Sequence, residues 1–187
     1  MEELKHCGTI LIETNRLILK KIENADAEDM FLNFAHDDRV SRYMSWDSFK
    51  TVEDSIKWIN EWQDEYNKED VYYWGIYLKS SHKLIGTIYL LTESTVSKVG
   101  SLSYCLGFDY WGNGYVCEAV EAVIDFAFNK AGYNRVEAYQ AKSNLQSARV
   151  LQKVGMKKEG TLRQRCKTHN GYEDCIYYSI LKSEFKS

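Results

Sequence analysis

The chain has 187 residues, 24 Lys plus Arg against 27 Asp plus Glu for a net charge of -3, and 44% hydrophobic content. That fits one domain with a sizeable core, and the near-balanced charge excludes the basic excess of a dedicated nucleic-acid binder. No apolar run approaches the roughly 18 residues of a membrane span, and the start Met1-Glu2-Glu3-Leu4-Lys5-His6 lacks the basic and apolar regions of a secretion signal.

Residues 1–8 are expected as a flexible tail and 9–187 as a single domain. Leu17 to Ile22 reads as a first strand. Asn24 or Asp26 can cap a helix whose apolar side is Ala27, Met30, Phe31 and Phe34. Thr51 with Asp54 resembles a capping box that opens a second helix through Ile56, Ile59 and Trp62. Val71 to Leu78 and Leu84 to Leu90 read as a hairpin, followed by a looser polar segment and a strand Ser101 to Leu106. The period then changes. Val116, Ala119, Val120, Val123, Ile124, Ala127 and Phe128 form one helical stripe, closed near Gly132. Arg135 to Gln140 reads as a buried strand and Gln146 to Val154 as a short helix closed by Gly155. Two last strands, about Lys157 to Arg163 and Tyr172 to Leu181, flank the turn signal Asn170-Gly171. The fold class is mixed α/β.

Five cysteines, at 7, 105, 117, 166 and 175, contain no Cys-x-x-Cys pair and read as reduced thiols of a cytoplasmic protein. The four histidines show no ligand spacing, so no metal is expected.

The segment Gly107 to Ala119 carries the most chemistry. A strand ends, Gly112 and Gly114 make a turn, and a long helix begins. Such a turn aims main-chain N–H groups at one point, and the helix start adds partial positive charge, which suits a phosphate. Three readings compete: a tight turn that merely needs glycine, a dinucleotide fingerprint, and a coenzyme A diphosphate cradle. The fingerprint needs a third glycine where this chain has Cys117, and a P-loop ending is missing.

Several short pieces occur in a specific order: Thr14-Asn15-Arg16-Leu17-Ile18-Leu19, Leu84-Ile85-Gly86-Thr87-Ile88, and Tyr110-Trp111-Gly112-Asn113-Gly114-Tyr115 followed by Glu118-Ala119-Val120. They continue with Asn144-x-x-Ser147, Lys153-x-Gly155-Met156, Glu159-Gly160-Thr161-Leu162-Arg163 and Asn170-Gly171-Tyr172-x-Asp174. From about Ile12 to Leu181 the chain resembles the GNAT acetyltransferase superfamily, and within it the RimJ/RimL ribosomal-protein N-acetyltransferase type. The resemblance implies a GNAT fold: a central mixed, mostly antiparallel sheet of about six or seven strands flanked by about four helices, with a splayed parallel strand pair that admits the pantetheine arm. It implies acetyl-CoA as co-substrate and a primary amine as acceptor, either a protein N-terminus or a small molecule, on a monomer or homodimer with no nucleic-acid or membrane partner. A catalytically silent acyl-CoA sensor on the same fold is the alternative.

By the same resemblance, Cys105, Leu106 and Gly107 pair with pantetheine. Trp111, Gly112, Asn113, Gly114 and Tyr115 hold the diphosphate, and Asn144 and Ser147 contact the carrier. The superfamily's first loop position falls on Asp109, an acid expected to point away from a diphosphate. A main-chain N–H near Leu106 is the expected oxyanion donor. Many members place a Tyr acid where this chain has Leu151, so Ser147 is the candidate acid, a residue that can instead cap its helix or bind the carrier. No base is evident: the relatives' Glu position falls on Cys166, Glu137 can be a rim charge, and Glu118 reads as a complement to the helix dipole. An α-amine, with pKa about 7.7–8.0, is partly neutral near pH 7–8 without a strong base. Tyr43 and Trp46 are the expected acceptor-site residues, while Trp58 and Trp62 read as core. Arg149 and Lys153 can meet a phosphate or stand as solvated charges.

Overall fold

The computed structural model describes residues 3–169 and 171–185. Among these, eight strands form one sheet: β1 (Ile12–Glu13), β2 (Leu17–Lys20), β3 (Tyr72–Leu78), β4 (Leu84–Ser94), β5 (Val99–Leu106), β6 (Arg135–Ala141), β7 (Lys157–Thr168) and β8 (Gly171–Leu181), in the order β1-β2-β3-β4-β5-β6-β8-β7. All neighbours are antiparallel except β5 and β6. The strand beyond the expected six or seven is the two-residue β1, too short for a periodic signal. Five helices among the described residues cover the sheet: α1 (Ala27–Met30), which runs on in a wider π turn to Ala35, α2 (Asp38–Ser41), α3 (Val52–Glu65), α4 (Tyr115–Phe126) and α5 (Leu145–Lys153).

Two helices start as the local chemistry predicts, while at the first the expected cap moves back one residue: Glu23 forms a capping box with Asp26, and neither Asn24 nor Asp26 caps α1 by its side chain. Thr51 and Asp54 make the expected reciprocal capping box at α3. Asn144 caps α5 by accepting from the Ser147 amide at 3.2 Å, and Gly155 closes that helix with φ +85°. The segment 91–100, expected as loose and polar, is strand on both sides of a short turn, because Leu91, Thr92 and Ser94 pair with Ser101, Gly100 and Val99. Ladder hydrogen bonds formed with a neighbour override weak local propensity. Asn170 lies outside the described residues, so the turn predicted there is seen only from Gly171 onward. The leading segment, expected as a loose tail, lies against the body from Glu3: the Lys5 amide donates to Ala131, that of Gly8 to Glu69, and His6 pairs with the Tyr72 hydroxyl at 2.8 Å.

Strand alternation sends side chains to two cores, one on each sheet face. Leu17, Leu19, Trp74, Ile88, Val136 and Tyr178 meet Val120, Val123 and Ile124 of α4 and Leu151 of α5. Tyr77, Leu84 and Cys105 meet Met30 and Phe34 on one side and Ile59 and Trp62 of α3 on the other. Trp62 stacks on Trp58 at 4.3 Å and on Tyr73 at 4.8 Å, so both tryptophans serve as packing. Among the described residues no helix is long and apolar enough to cross a membrane.

The β5–β6 ladder covers only Val99–Arg135, Gly100–Val136 and Ser101–Glu137. Beyond that the two strands part, and Leu102 to Leu106 has no ladder partner on that side among the described residues. The other side of β6 is held tightly. There β6, β8 and β7 are clamped by Arg135, whose guanidinium donates to Glu159 at 2.7 and 2.5 Å, to Ser179 at 2.9 Å and to Glu137 at 3.0 Å. The Arg135 and Ser179 hydrogen bonds hold the Glu159 carboxyl down to about 2. A depressed native pKa contributes stability that is fully present above the unfolded carboxylate value of about 4.3 and is lost as pH falls toward 2. Solvent reaches this pair, so the contribution is no more than about 1 kcal/mol. The difference in urea midpoint between wild type and Glu159→Gln is therefore expected to be full at pH 6 and to shrink below pH ~4.3.

Candidate functional site

The strand gap, the glycine turn and the start of α5 converge on one cavity of about 350 Å³. Its floor is Tyr104, Cys105 and Leu106, where β5 has left β6. One end is Trp111, Gly112 and Gly114 with the first residues of α4. The far wall is Asn144 with Ser147 and Val150 of α5, and Val40 of α2 with Tyr43 and Met44 just after it close the cavity.

The turn is built to leave donors open. Gly112 and Gly114 both have φ +78°, which L side chains rarely adopt. A side chain added at Gly112 would meet nothing within 4 Å, so that position faces open space. Gly114 is the N-cap of α4, and no side chain caps that helix. The opening N–H groups of α4 have no intrahelical acceptors, and Gly114, Tyr115, Val116 and Cys117 line the cavity. The helix dipole adds about half a positive charge at the same place. Arg39, Arg149 and Lys153 line the cavity as well, and no carboxylate among the described residues does. Arg39 is held by a fork onto Asp37 at 2.6–3.0 Å and lies 3.6 Å from the Phe108 ring centroid. Cavity, dipole and cations together suit an elongated anion.

Of the residues expected at the site, Tyr43, Cys105, Leu106, Trp111, Gly112, Gly114, Tyr115, Asn144 and Ser147 line this cavity. Gly107, Asn113 and Trp46 do not. The Gly107 amide is spent on the Ile85 carbonyl at 2.8 Å. Asn113 turns its amide back onto the carbonyls of Tyr110 and Trp111 at 3.2 and 3.1 Å. Trp46 packs against Phe49 on the α3 side, 5.5 Å between ring centroids. Tyr43 stands beside the residues expected for the carrier rather than with Trp46, its hydroxyl turned toward the Ser143 carbonyl at 3.4 Å. Asp109 is not part of the lining, as its charge requires.

Sequence reasoning missed Tyr104. Its hydroxyl lies 2.9 Å from the Ser147 Oγ, across the gap. Burial pushes the phenol above its ordinary pKa although the Ser147 hydrogen bond pulls the other way, so it stays protonated at neutral pH. Alternation along Leu102, Tyr104 and Leu106 puts the ring on the α4 face, which is legible from sequence; its meeting with a residue 43 positions on is not. Ser147 is thus held at its amide by Asn144 and at its hydroxyl by Tyr104.

The cysteines of the cavity are poor nucleophiles. Burial raises the thiols of Cys105 and Cys117, so neither is a ready thiolate. Cys166, at the position where relatives carry a Glu, is buried beside Cys175 with its thiol also raised by burial. Glu137 is tied to Arg135 and lies outside the lining. Glu118 does more than complement the dipole: it accepts from Thr14 Oγ1 at 2.6 Å and from the amide and Nε of Arg16 at 2.8 and 2.7 Å. Burial works to raise its pKa, and these bonds outweigh it, so the carboxyl sits below its ordinary value.

Comparison with known proteins agrees with this geometry. The Acetyltransferase (GNAT) domain family matches residues 16–157. The uncharacterized N-acetyltransferase YoaA of Bacillus subtilis (strain 168) is 32% identical over 172 residues, 92% of this chain and 97% of that protein. The crystal structure of a GNAT-family acetyltransferase from Bacillus anthracis superposes with TM-score 0.81 at 25% identity, over 94% of this chain and 100% of that one. The ribosomal-protein-S5-alanine acetyltransferase of Vibrio fischeri shares the fold, with TM-score 0.80 at 24% identity over 95% and 100% of the two chains. A family match over most of the length, a relative alike from end to end, and a glycine turn and strand gap opening on one cavity carry a single conclusion: the chain belongs to the GNAT family and is an N-acetyltransferase.

Proposed function

We propose that this protein transfers the acetyl group of acetyl-CoA to a primary amine, with the α-amine of a protein N-terminus, in the manner of the RimJ/RimL type, as acceptor. The observation that carries the reading is the uncapped start of α4, which opens through Gly112 and Gly114 onto a cavity continuous with the β5–β6 gap. In this reading the amides from Gly112 to Tyr115 hold the diphosphate, and Arg39, Arg149 or Lys153 meets the remaining phosphate. The side of β5 that has left β6, near Cys105 and Leu106, receives the pantetheine amides and the carbonyl oxygen through its remaining main-chain groups, the Leu106 carbonyl itself accepting from Trp111 Nε1 at 2.7 Å.

Acetyl-CoA supplies an acyl thioester, whose C–S bond breaks as the C–N bond forms. The proton to be moved starts on the amine nitrogen and ends on the sulfur. Ser147 can do both halves: its Oγ takes the nitrogen's proton as its own O–H goes to sulfur, and the serine ends unchanged. Tyr104, protonated and 2.9 Å away, holds that hydroxyl in place. Among the described residues the cavity presents no carboxylate to act as a strong base. An α-amine, neutral in appreciable fraction near pH 7–8, needs none, whereas a lysine amine with pKa about 10.4 does.

The test is release of free thiol from acetyl-CoA in the presence of a ribosomal-protein N-terminal peptide, a polyamine and an aminoglycoside, each in turn. Turnover with the peptide, blocked when its α-amine is pre-acetylated, is the expected result. Turnover with only the small amines overturns the acceptor. Tight coenzyme A binding with no amine-dependent release overturns the reaction in favour of a silent sensor.

A further inference from the structure

The motif Thr14-Asn15-Arg16-Leu17 lies about 100 positions before the glycine turn in sequence, and the fold brings the two together. The Arg16 Nη1 donates to the carbonyl of Asn113 at 2.9 Å. Its amide and Nε grip the two oxygens of Glu118 at 2.8 and 2.7 Å, and Thr14 Oγ1 adds a third bond at 2.6 Å. The guanidinium also lies 4.6 Å from the Tyr115 ring centroid. Glu118 is itself fixed by the first helical hydrogen bond of α4, from its amide to the Gly114 carbonyl at 3.1 Å. Arg16 is not part of the cavity lining; it holds the turn from behind.

A peptide unit is planar and trans, so its C=O and N–H point in opposite directions. Arg16 pulls the Asn113 carbonyl outward, and the N–H of Gly114 in the same plane must then face the other way. Gly114, with no Cβ, leaves this peptide freer to rotate than an ordinary helix start would. Among the described residues nothing else in the turn holds that carbonyl, since the Asn113 side chain is spent on Tyr110 and Trp111.

We propose that Arg16, braced by Glu118 and Thr14, is a positioning residue that fixes the Asn113–Gly114 peptide with its N–H turned toward the carrier's diphosphate. The proposal rests on the reading that the diphosphate lies on this turn. Arg16 and Glu118 cancel in charge, so the effect is one of geometry and not of attraction between Arg16 and phosphate. Gly114 lies against the same brace: a Cβ there would sit in van der Waals contact with the Arg16 Nη2, at 3.6 Å.

The experiment compares two acetyl donors, acetyl-CoA and S-acetylpantetheine, the second lacking the diphosphate, with the same amine in wild type, Arg16→Met, Arg16→Lys and Glu118→Gln. In Arg16→Met, kcat/KM for acetyl-CoA is expected to fall about 10- to 100-fold, as for loss of a charge-assisted hydrogen bond. The loss is expected in KM, with kcat at saturation unchanged, and kcat/KM for S-acetylpantetheine is expected to stay within about twofold of wild type. Arg16→Lys and Glu118→Gln are expected to fall between. Equal loss for both donors, in any variant that keeps its thermal midpoint, overturns the proposal in favour of a merely structural clamp, and so does no loss at all. A wild-type protein that does not prefer acetyl-CoA to S-acetylpantetheine overturns the diphosphate cradle itself, and the positioning role with it. Calorimetric titration of coenzyme A and of pantetheine into the Lys and Gln variants gives the same comparison if the Met variant does not fold.

Discussion

Replacing Gly112 by glutamate is expected to abolish measurable coenzyme A binding while leaving the protein folded. The two halves of that expectation have separate causes. A side chain at this position points into open space, with nothing within 4 Å, so packing is not disturbed. The backbone cost of a non-glycine residue at φ +78° is about 1–2 kcal/mol, a few degrees in thermal midpoint for a chain of this size. The new carboxylate, by contrast, enters the mouth of a cavity lined by Arg39, Arg149 and Lys153, where a diphosphate is proposed to lie. Like charges about 4 Å apart near a protein surface repel by about 4 kcal/mol, close to a thousandfold in affinity. Gly112→Asn is the control, because asparagine enters the left-handed region with little strain and brings no charge. It is expected to bind within about tenfold of wild type. Calorimetric titration of coenzyme A into both variants, with circular dichroism to confirm folding, checks this. Undiminished binding in the glutamate variant would remove the diphosphate from the turn.

Ser147→Ala is expected to lower kcat by roughly 100-fold or more, the range lost with a positioned proton donor, while KM for acetyl-CoA moves by less than about threefold. The substitution keeps the helix, because the capping bond at this residue runs from its main-chain amide to Asn144. It does leave the Tyr104 hydroxyl with only the distant Ser147 carbonyl at 3.4 Å, so a stability loss of about 1 kcal/mol accompanies it. Steady-state kinetics with acetyl-CoA varied at a fixed amine separates the two roles open to this serine. A rise in KM with kcat unchanged assigns Ser147 to holding the carrier and leaves the proton to another group.

The helical stripe from Val116 to Phe128 and the capping pair Thr51–Asp54 were legible in the sequence, because each is a local pattern answered by a local structure. The glycine turn was legible too, since two residues at φ +78° leave little choice of side chain. Illegible was everything that depends on which distant segments meet. Tyr104 and Ser147 are 43 positions apart, and Arg16 and Asn113 are 97 apart. Gly107 shows the reverse case. The resemblance sets it among the residues that pair with pantetheine, while the neighbouring strand occupies its amide through Ile85. Trp46, expected at the acceptor site, packs against Phe49 and lies outside the cavity lining. A motif fixes which backbone shapes are possible, and only the packed fold decides which donors remain to be used.

The three-residue ladder between β5 and β6 leaves an unzipped seam through the middle of the sheet. A molecule that pairs with the exposed edge of β5 completes the sheet as a further strand would, and its binding energy adds to the stability of the folded chain. By mass action, ligand at 100 times its dissociation constant adds about 2.7 kcal/mol. The resistance of this protein to unfolding and proteolysis therefore rises and falls with the supply of whatever fills that seam.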